Sequence, residues 1–221
     1  MKGLMIKDLR LLGQQKKLGI IYVVMALFLS LSMDNSFLVS YLPMIGVLLV
    51  FSTISYDEYD NGMPFLMTMP VDGKIYAVEK YLLSFIGIAA SWLVALVLQI
   101  GSMMVKKEAF DVLQLIGTDA VSIVVFLLVV SLMVPIELKF GAEKGRLMIL
   151  AIFAVVAVIV MAGMKAGNFL TDKLGIDVLA IVEKIKNTPM PLLMVICFGI
   201  TAALLAISMV ISTGIMKKKE Y

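Results

Sequence analysis

Long apolar runs alternate with short polar links along almost the whole chain. Six of the runs contain no charged residue, and they cover residues 18–33, 36–56, 81–105, 120–136, 147–164 and 187–216. A membrane-spanning helix needs about 20 mostly apolar residues, with a range of roughly 17–25. The pattern therefore predicts an all-α membrane protein with six transmembrane helices, over about 18–34, 36–56, 80–105, 119–137, 147–165 and 190–216.

Residues 1–17 have the pattern of an amphipathic helix that lies in the membrane interface. One face collects Met1, Leu4, Met5, Leu9, Leu11 and Leu12, and the other collects Lys2, Lys7, Arg10, Gln14 and Lys17. Asp8 projects into the apolar face, so its carboxylate either reaches water near the helix start or forms a buried ion pair. We expect the ion pair, with a partner among Lys139, Lys144 and Arg146.

The link between the second and third runs, residues 56–74, is acidic at its start and apolar in its middle. It offers an N-cap, a first-turn proline and a terminating proline for one short helix, namely Asp60 or Asn61, Pro64 and Pro70. Asp72 is then expected to cap the next helix. Such a short helix either fits a groove in another protein or simply returns the chain to the membrane.

Residues 165–186, between the fifth and sixth runs, show a second amphipathic pattern. Asn168 and Asp177 can each cap a short helix, and Gly175 can end the first one. One face of this segment collects Leu174, Val178, Ile181, Val182 and Ile185. The pattern predicts short helices within residues 166–187, lying at the membrane surface opposite to residues 56–74.

Lysine and arginine residues are distributed unequally between the two sets of links. The links on the side of the N-terminus hold 13 of them, and the links on the other side hold 6. Basic residues accumulate in cytoplasmic loops of membrane proteins. Both termini and residues 56–74 are therefore predicted to be cytoplasmic, residues 166–187 extracellular, and the protein a multi-pass protein of the cell membrane.

The composition excludes several classes of function. The chain is 62% hydrophobic, whereas soluble domains average about 45–50%. It contains no histidine, only one cysteine (Cys197), and no GxxxxGK[ST] phosphate loop. We therefore expect no catalytic residues, no metal site and no cofactor bound by this chain, and no nucleic-acid partner.

The predicted spans contain no ionisable side chain at mid-depth, where ion-coupled carriers keep their relays. A membrane protein without an energy source of its own is expected to be a subunit that a separate polypeptide supplies with energy.

Three stretches occur in a characteristic order along the chain. They are the opening Met1-Lys2-Gly3-Leu4-Met5-Ile6-Lys7-Asp8-Leu9, the second link with Tyr56-Asp57-Glu58, Asn61-Gly62, Met69-Pro70-Val71 and Lys80-Tyr81, and the helices between the fifth and sixth runs. In this order they resemble the interfacial helix, the coupling-helix region and the extracellular re-entrant element of the permease subunit of ABC-2-type exporters, which have the type V ABC transporter fold. The resemblance covers the whole chain. Asp72-Gly73-Lys74 departs from the Ser/Thr-Arg pair often found in relatives, which puts the local turn in question.

The resemblance implies a non-catalytic transmembrane subunit. A second permease copy or a paralogue would complete the membrane core, and two cytoplasmic ATPases, which hold ATP and Mg, would bind the coupling helices. The residues implied in ATPase coupling are Tyr56, Asp57, Glu58, Asp60, Met63, Phe65 and Leu66. The short chain and its opening are similar to Gram-positive exporters of amphipathic or antimicrobial peptides, which implies export of an amphipathic or hydrophobic substrate, with a peptide expected.

Two other functions fit the same hydropathy pattern. One is export of a small lipophilic drug or a lipid by the same architecture, because residues that line a path for peptide, drug or lipid are all apolar. The other is a membrane scaffold without transport activity. Copurification with an ATPase distinguishes the scaffold from both exporters. The sequence leaves three questions open: the identity of the substrate, whether the permease forms a homodimer or a heterodimer, and the direction of transport.

Overall fold

The computed structural model describes residues 1–14, 16–32, 36–59, 62–68, 71–107, 112–165 and 190–219. Within them the elements are α1 (Lys2–Gln14), α2 (Lys16–Ser32), α3 (Ser36–Glu58), α4 (Gly62–Thr68), α5 (Gly73–Lys106), α6 (Val112–Phe140), α7 (Ala142–Lys165) and α8 (Met190–Lys218). The described residues contain no strand, which confirms the predicted all-α class for this part of the chain. The predicted helices within residues 166–187 lie outside the described residues.

Local sequence signals explain where several of these helices begin and end. The side chain of Asp72 accepts a hydrogen bond from the backbone N–H of Lys74 at 3.1 Å, so the predicted N-cap of α5 is confirmed. Lys107 adopts a left-handed conformation (φ 57°) after the last turn of α5. Gly141, with φ 84°, separates α6 from α7, so the predicted link over residues 137–146 is helical except at this glycine.

Three described helices are long and apolar enough to cross a membrane: Gly73–Lys106, Leu115–Phe140 and Leu192–Lys218. Lys2–Gln14 and Gly19–Leu29, bent by 63° relative to each other, make a fourth candidate if they count as one span. α5 has 34 residues, which gives a length of about 51 Å, longer than the hydrocarbon core of about 30 Å. α5 therefore extends beyond the hydrocarbon region. The arrangement with six spans stays a prediction.

α6 is longer at both ends than the fourth charge-free run, residues 120–136. α6 begins at Val112, and Asp119 lies inside the candidate span with only 2% of its surface exposed. Asp119 lies near the start of the candidate span Leu115–Phe140 and not at its middle, so the absence of ionisable side chains at mid-depth stays a prediction. A search for charge-free runs stops at any carboxylate, whereas a helix continues through one that is buried against its neighbours.

The bundle is held most closely where α3 packs on α5. A Cβ atom added to Gly46 would lie 2.5 Å from Ser91 Oγ and 2.9 Å from the carbonyl oxygen of Gly87. A Cβ atom on Gly87 would lie 2.9 Å from a methyl group of Val50. Small residues allow helix backbones in a membrane to approach each other at such distances.

One end of the bundle gathers parts of seven helices, six of which contribute side chains to a common apolar cluster. Its buried members there include Leu4, Met63, Leu66, Tyr76, Leu138 and Met216. We call this the charged end; it comprises α1, α4 and the adjoining ends of α3, α5, α6, α7 and α8. A Cβ atom on Gly73 would lie 3.0 Å from the carbonyl oxygen of Met216, so α5 begins in direct contact with the end of α8.

Candidate functional site

A buried lysine is the centre of a group of charged side chains at the charged end. Lys80, which has no exposed surface, forms an ion pair with Asp8 of α1, which also has none. Its Nζ lies 3.0 Å from Asp57 Oδ2, at the end of α3, and donates a hydrogen bond to Thr53 Oγ1 at 3.0 Å. The ammonium group also lies 4.9 Å from the centre of the Tyr76 ring. Lys80 therefore joins α1, α3 and α5.

A second lysine and a tyrosine complete this group, which we call the Lys80 cluster. Lys7 Nζ lies 3.0 Å from Asp8 Oδ1 and donates a hydrogen bond to Asp57. The hydroxyl of Tyr76 donates a hydrogen bond to Asp57 Oδ2 at 2.9 Å. The members of the cluster are Lys7, Asp8, Thr53, Asp57, Tyr76, Glu79 and Lys80.

Acidic groups outnumber basic groups in the Lys80 cluster. Asp8, Asp57 and Glu79 face the ammonium groups of Lys7 and Lys80. Glu79 has no exposed surface; its Oε2 lies 3.7 Å from Lys80 Nζ, and neither of its oxygens has a hydrogen-bond partner among the described residues. Buried charges are costly unless paired, so each cation offsets the burial of carboxylates on other helices. The cluster thereby fixes the relative positions of α1, α3 and α5.

The residue after Asp57 makes a contact with a different part of the bundle. Glu58 Oε2 accepts a hydrogen bond from the backbone N–H of Ala142, the first residue of α7, at 2.5 Å. The first N–H groups of a helix have no partner within the helix, and its N-terminus attracts negative charge. Glu58 therefore caps α7 from a distant position in the chain and connects α3 with the turn between α6 and α7.

The family model described as ABC-2 family transporter protein matches residues 3–217 of this chain. The chain belongs to the ABC-2 transporter family. No curated protein and no solved structure gives a significant match. Membership makes the chain a membrane component of an ABC transporter, namely the transmembrane subunit, with ABC ATPase subunits as partners; such permeases are generally non-catalytic.

The structure divides the predicted coupling residues of this ABC-2 permease into two groups. Tyr56 (52% exposed) and Phe65 (68% exposed) lie at the surface. Tyr59, which lies between them in the chain and was not among the predicted coupling residues, is 72% exposed. Asp57, Met63 and Leu66 are buried within the subunit itself, and Glu58 caps α7. Asp60 lies outside the described residues. The buried residues position α4, and the exposed aromatic residues are free to contact another protein.

The partner proposed for Asp8 was in the wrong segment. Among the described side chains, Asp8 pairs with Lys80 on α5 and with the neighbouring Lys7, and not with Lys139 or Lys144. Lys139 instead places its ammonium group 5.0 Å from the centre of the Phe140 ring, and the side chain of Arg146 lies outside those described. The helix periodicity located the carboxylate on the inner face of α1, but which helix α1 crosses depends on tertiary packing.

Sequence reasoning did not identify Lys80 as a functional residue of the ABC-2 permease. Lys80 was predicted as the first residue of the span 80–105 and as part of the Lys80-Tyr81 motif, without a role of its own. The available signal was the stretch between Lys74 and Lys80. It holds four residues of apolar character, followed by Glu79. A lysine so close to a span, beside a carboxylate, is typical of a paired charge at the membrane boundary.

Proposed function

We propose that this ABC-2 permease is the transmembrane subunit of an exporter that moves an amphipathic or hydrophobic substrate, in particular a peptide, out of the cell. Two permease subunits, either identical or paralogous, form the membrane core, and two ATPases supply the energy. The observation that carries this proposal is the exposed aromatic surface of Tyr56, Tyr59 and Phe65, next to a short helix whose other face is buried.

α4 has the features of a docking element. It is only seven residues long, and Met63 and Leu66 anchor it in the apolar cluster of the charged end. Phe65, between these two residues, points away from the cluster and is 68% exposed. Exposed aromatic side chains dominate the binding energy of many protein interfaces. We therefore assign residues 56–68 as the ATPase-docking segment, with Tyr56, Tyr59 and Phe65 as its contact residues.

The orientation of the exporter follows from the distribution of basic residues. The links of the charged end hold 13 lysine and arginine residues, against 6 in the other links, which favours a cytoplasmic charged end. With the six predicted spans, both termini and residues 56–68 would lie on this side, where ATP is available. Residues 166–187 are then extracellular.

A groove of about 350 Å³ between α5, α6 and α8 supports a hydrophobic substrate class. It is lined by Tyr81, Phe85, Leu127, Phe198, Thr201, Ala202, Leu205, Ala206 and Met209. The hydroxyl of Tyr81 is already bonded to Ser208 and Ser212, so the groove offers mostly apolar contacts. Apolar pockets with few polar groups bind lipophilic molecules. The choice of a peptide over a drug or a lipid rests on the resemblance of the chain opening to peptide exporters.

The experiment that tests this function is coexpression of the chain with candidate ABC ATPases from the same organism, followed by copurification and transport assays in proteoliposomes. We expect the ATPase to copurify, and amphipathic peptides to stimulate ATP hydrolysis and to be transported toward the side opposite to the ATPase. Phe65→Asp should abolish copurification, whereas Lys74→Glu, an exposed change at the same end of the bundle, should not. Stimulation by a lipophilic drug or a lipid alone would replace the peptide, and absence of copurification with wild-type protein would refute the exporter.

A further inference from the structure

The last turn of α3 carries two successive carboxylates that bind opposite parts of the bundle. Asp57 contacts Lys7 of α1 and Lys80 of α5. Glu58 contacts the first residue of α7. Neighbouring residues on an α-helix are separated by about 100° around the axis, so two adjacent side chains diverge toward different neighbours. The last turn of α3 is therefore connected with both sides of the charged end.

The turn that Glu58 contacts is tightly built. The N–H of Gly141 donates to the carbonyl oxygen of Glu137 at 2.8 Å, and the N–H of Gly145 donates to the carbonyl oxygen of Gly141 at 2.7 Å. Gly141 has φ 84°, and a Cβ atom there would lie 3.1 Å from Glu58 Oε2. A side chain at this position would be strained by its backbone conformation and would press on the carboxylate. Glu58 thus binds a turn in which both the backbone conformation and the space around Gly141 are restricted.

The same turn of α3 is in contact with the start of α4. A Cβ atom on Gly62, the first residue of α4, would lie 2.8 Å from the carbonyl oxygen of Asp57. α4 therefore begins directly against the residue that precedes Glu58. A displacement of α4 must move the last turn of α3 with it, together with its two carboxylates.

We propose that Glu58 is a positioning residue through which a displacement of α4 by the ATPase reaches the turn between α6 and α7. Asp57 transmits the same displacement to α1 and α5. Each of the two carboxylates therefore connects α4 with a different part of the bundle. This inference rests on the proposed docking of the ATPase at residues 56–68. It assigns to Glu58 an internal role, in place of the direct ATPase contact that the resemblance implied.

The test compares Glu58→Ala and Glu58→Gln with Glu143→Gln, in which an exposed carboxylate on the first turn of the same α7 is neutralised. Each variant is purified with the ATPase, and hydrogen exchange of the first-turn amides of α7 is measured with and without ATP. In the wild-type complex we expect ATP to change this exchange. In Glu58→Ala we expect exchange to rise by roughly fivefold without ATP, as for a lost helix cap, and the difference caused by ATP to disappear.

Transport per ATP hydrolysed is the second readout. We expect it to fall in Glu58→Ala and to stay at the wild-type level in Glu143→Gln, while both variants continue to copurify with the ATPase. Gly141→Ala, which disturbs the same contact from the other side, should reproduce the effect of Glu58→Ala. Glu58→Gln keeps an acceptor oxygen of the same reach, so its effect should be intermediate between wild type and Glu58→Ala. It replaces Glu58→Ala in the comparison if that variant reduces the amount of folded protein.

A purely structural role of Glu58 would raise the exchange equally with and without ATP, and the response to ATP would remain. That result would overturn the inference, as would a wild-type complex in which ATP leaves the first turn of α7 unchanged. Both results leave the docking of the ATPase intact, because the complex has copurified. If wild-type protein does not copurify with the ATPase, the proposed function itself fails, and the inference fails with it.

Discussion

Two adjacent residues of α5, Lys80 and Tyr81, are both fully buried, yet they organise two different kinds of polar contact. Lys80 joins α1, α3 and α5 through charged side chains. The hydroxyl of Tyr81 joins α5 to α8 through Ser208 Oγ at 2.5 Å and Ser212 Oγ at 2.9 Å, and Ser208 in turn donates to the carbonyl oxygen of Ser131 on α6. We refer to this second group as the Tyr81 cluster.

The difference between the two clusters follows the polarity of their surroundings. The Lys80 cluster lies at the charged end, where Lys7 still has partly exposed atoms. The Tyr81 cluster faces the apolar groove between α5, α6 and α8 and contains only neutral hydroxyl and carbonyl groups. Full charges are expensive in hydrocarbon, whereas interhelical hydroxyl contacts are worth about 1 kcal/mol each. α5 therefore makes charged contacts through Lys80, whose loss is costly, and neutral hydroxyl contacts through Tyr81, whose loss costs less.

The largest effect is expected from Lys80→Met. Removal of the ammonium leaves Lys7 as the one cation of the cluster facing three buried carboxylates and takes the ion pair from Glu79, which costs about 3–5 kcal/mol of unfolding free energy. Thermal unfolding of the purified protein in detergent measures the loss. Lys74→Met, at an exposed lysine of the same helix, is the control and should leave the melting temperature unchanged. Equal melting of wild type and Lys80→Met would show that Lys80 does not carry the cluster.

The next effect is the coupling between Asp8 and Lys80. Asp8→Asn alone should destabilise the protein, because Lys80 loses an ion pair in which neither side chain is exposed. The combination with Lys80→Met should cost less than the sum of the two single changes, with a coupling of roughly 1–3 kcal/mol. A double-mutant cycle with Lys139→Met in place of Lys80→Met is the control. Additive effects of Asp8 and Lys80 would mean that the ion pair has no energetic role.

A smaller loss of stability is expected from Tyr81→Phe. The change removes two hydroxyl contacts and keeps the ring, so the expected cost is about 1–2 kcal/mol. The same thermal assay applies, with Tyr59→Phe at an exposed site as the control. A loss as large as that of Lys80→Met would contradict the distinction between charged and neutral clusters.

The smallest effect on stability is expected from Phe65→Asp, at an exposed position of α4 outside both clusters. Because Phe65 is mostly exposed, the change should alter the unfolding free energy by no more than about 0.5 kcal/mol. Copurification with the ATPase should nevertheless be lost. Severe destabilisation would place Phe65 in the core of the charged end rather than at a docking surface.

The position of α4 shows how far sequence reasoning reached. Two prolines, an N-cap candidate and an apolar middle indicated a short helix after the second run, and Gly62–Thr68 lies there. The resemblance implied that Asp57, Met63 and Leu66 take part in ATPase coupling, within one docking segment. Their burial depends on α1, α5 and α6, which lie far away in the chain. A local pattern predicts that a helix has two faces, but not which distant helix covers one of them.

Composition, periodicity and short-range hydrogen bonds were enough to predict the class of the protein, its apolar helices and the cap at Asp72, and the order of its motifs resembled the family that the family model matches. The tertiary structure alone decided which charges meet. Lys80 and Asp8 are 72 residues apart, and Glu58 and Ala142 are 84 residues apart. A buried charge must find an opposite charge or a helix end, and the packing of the helices decides which one lies within reach.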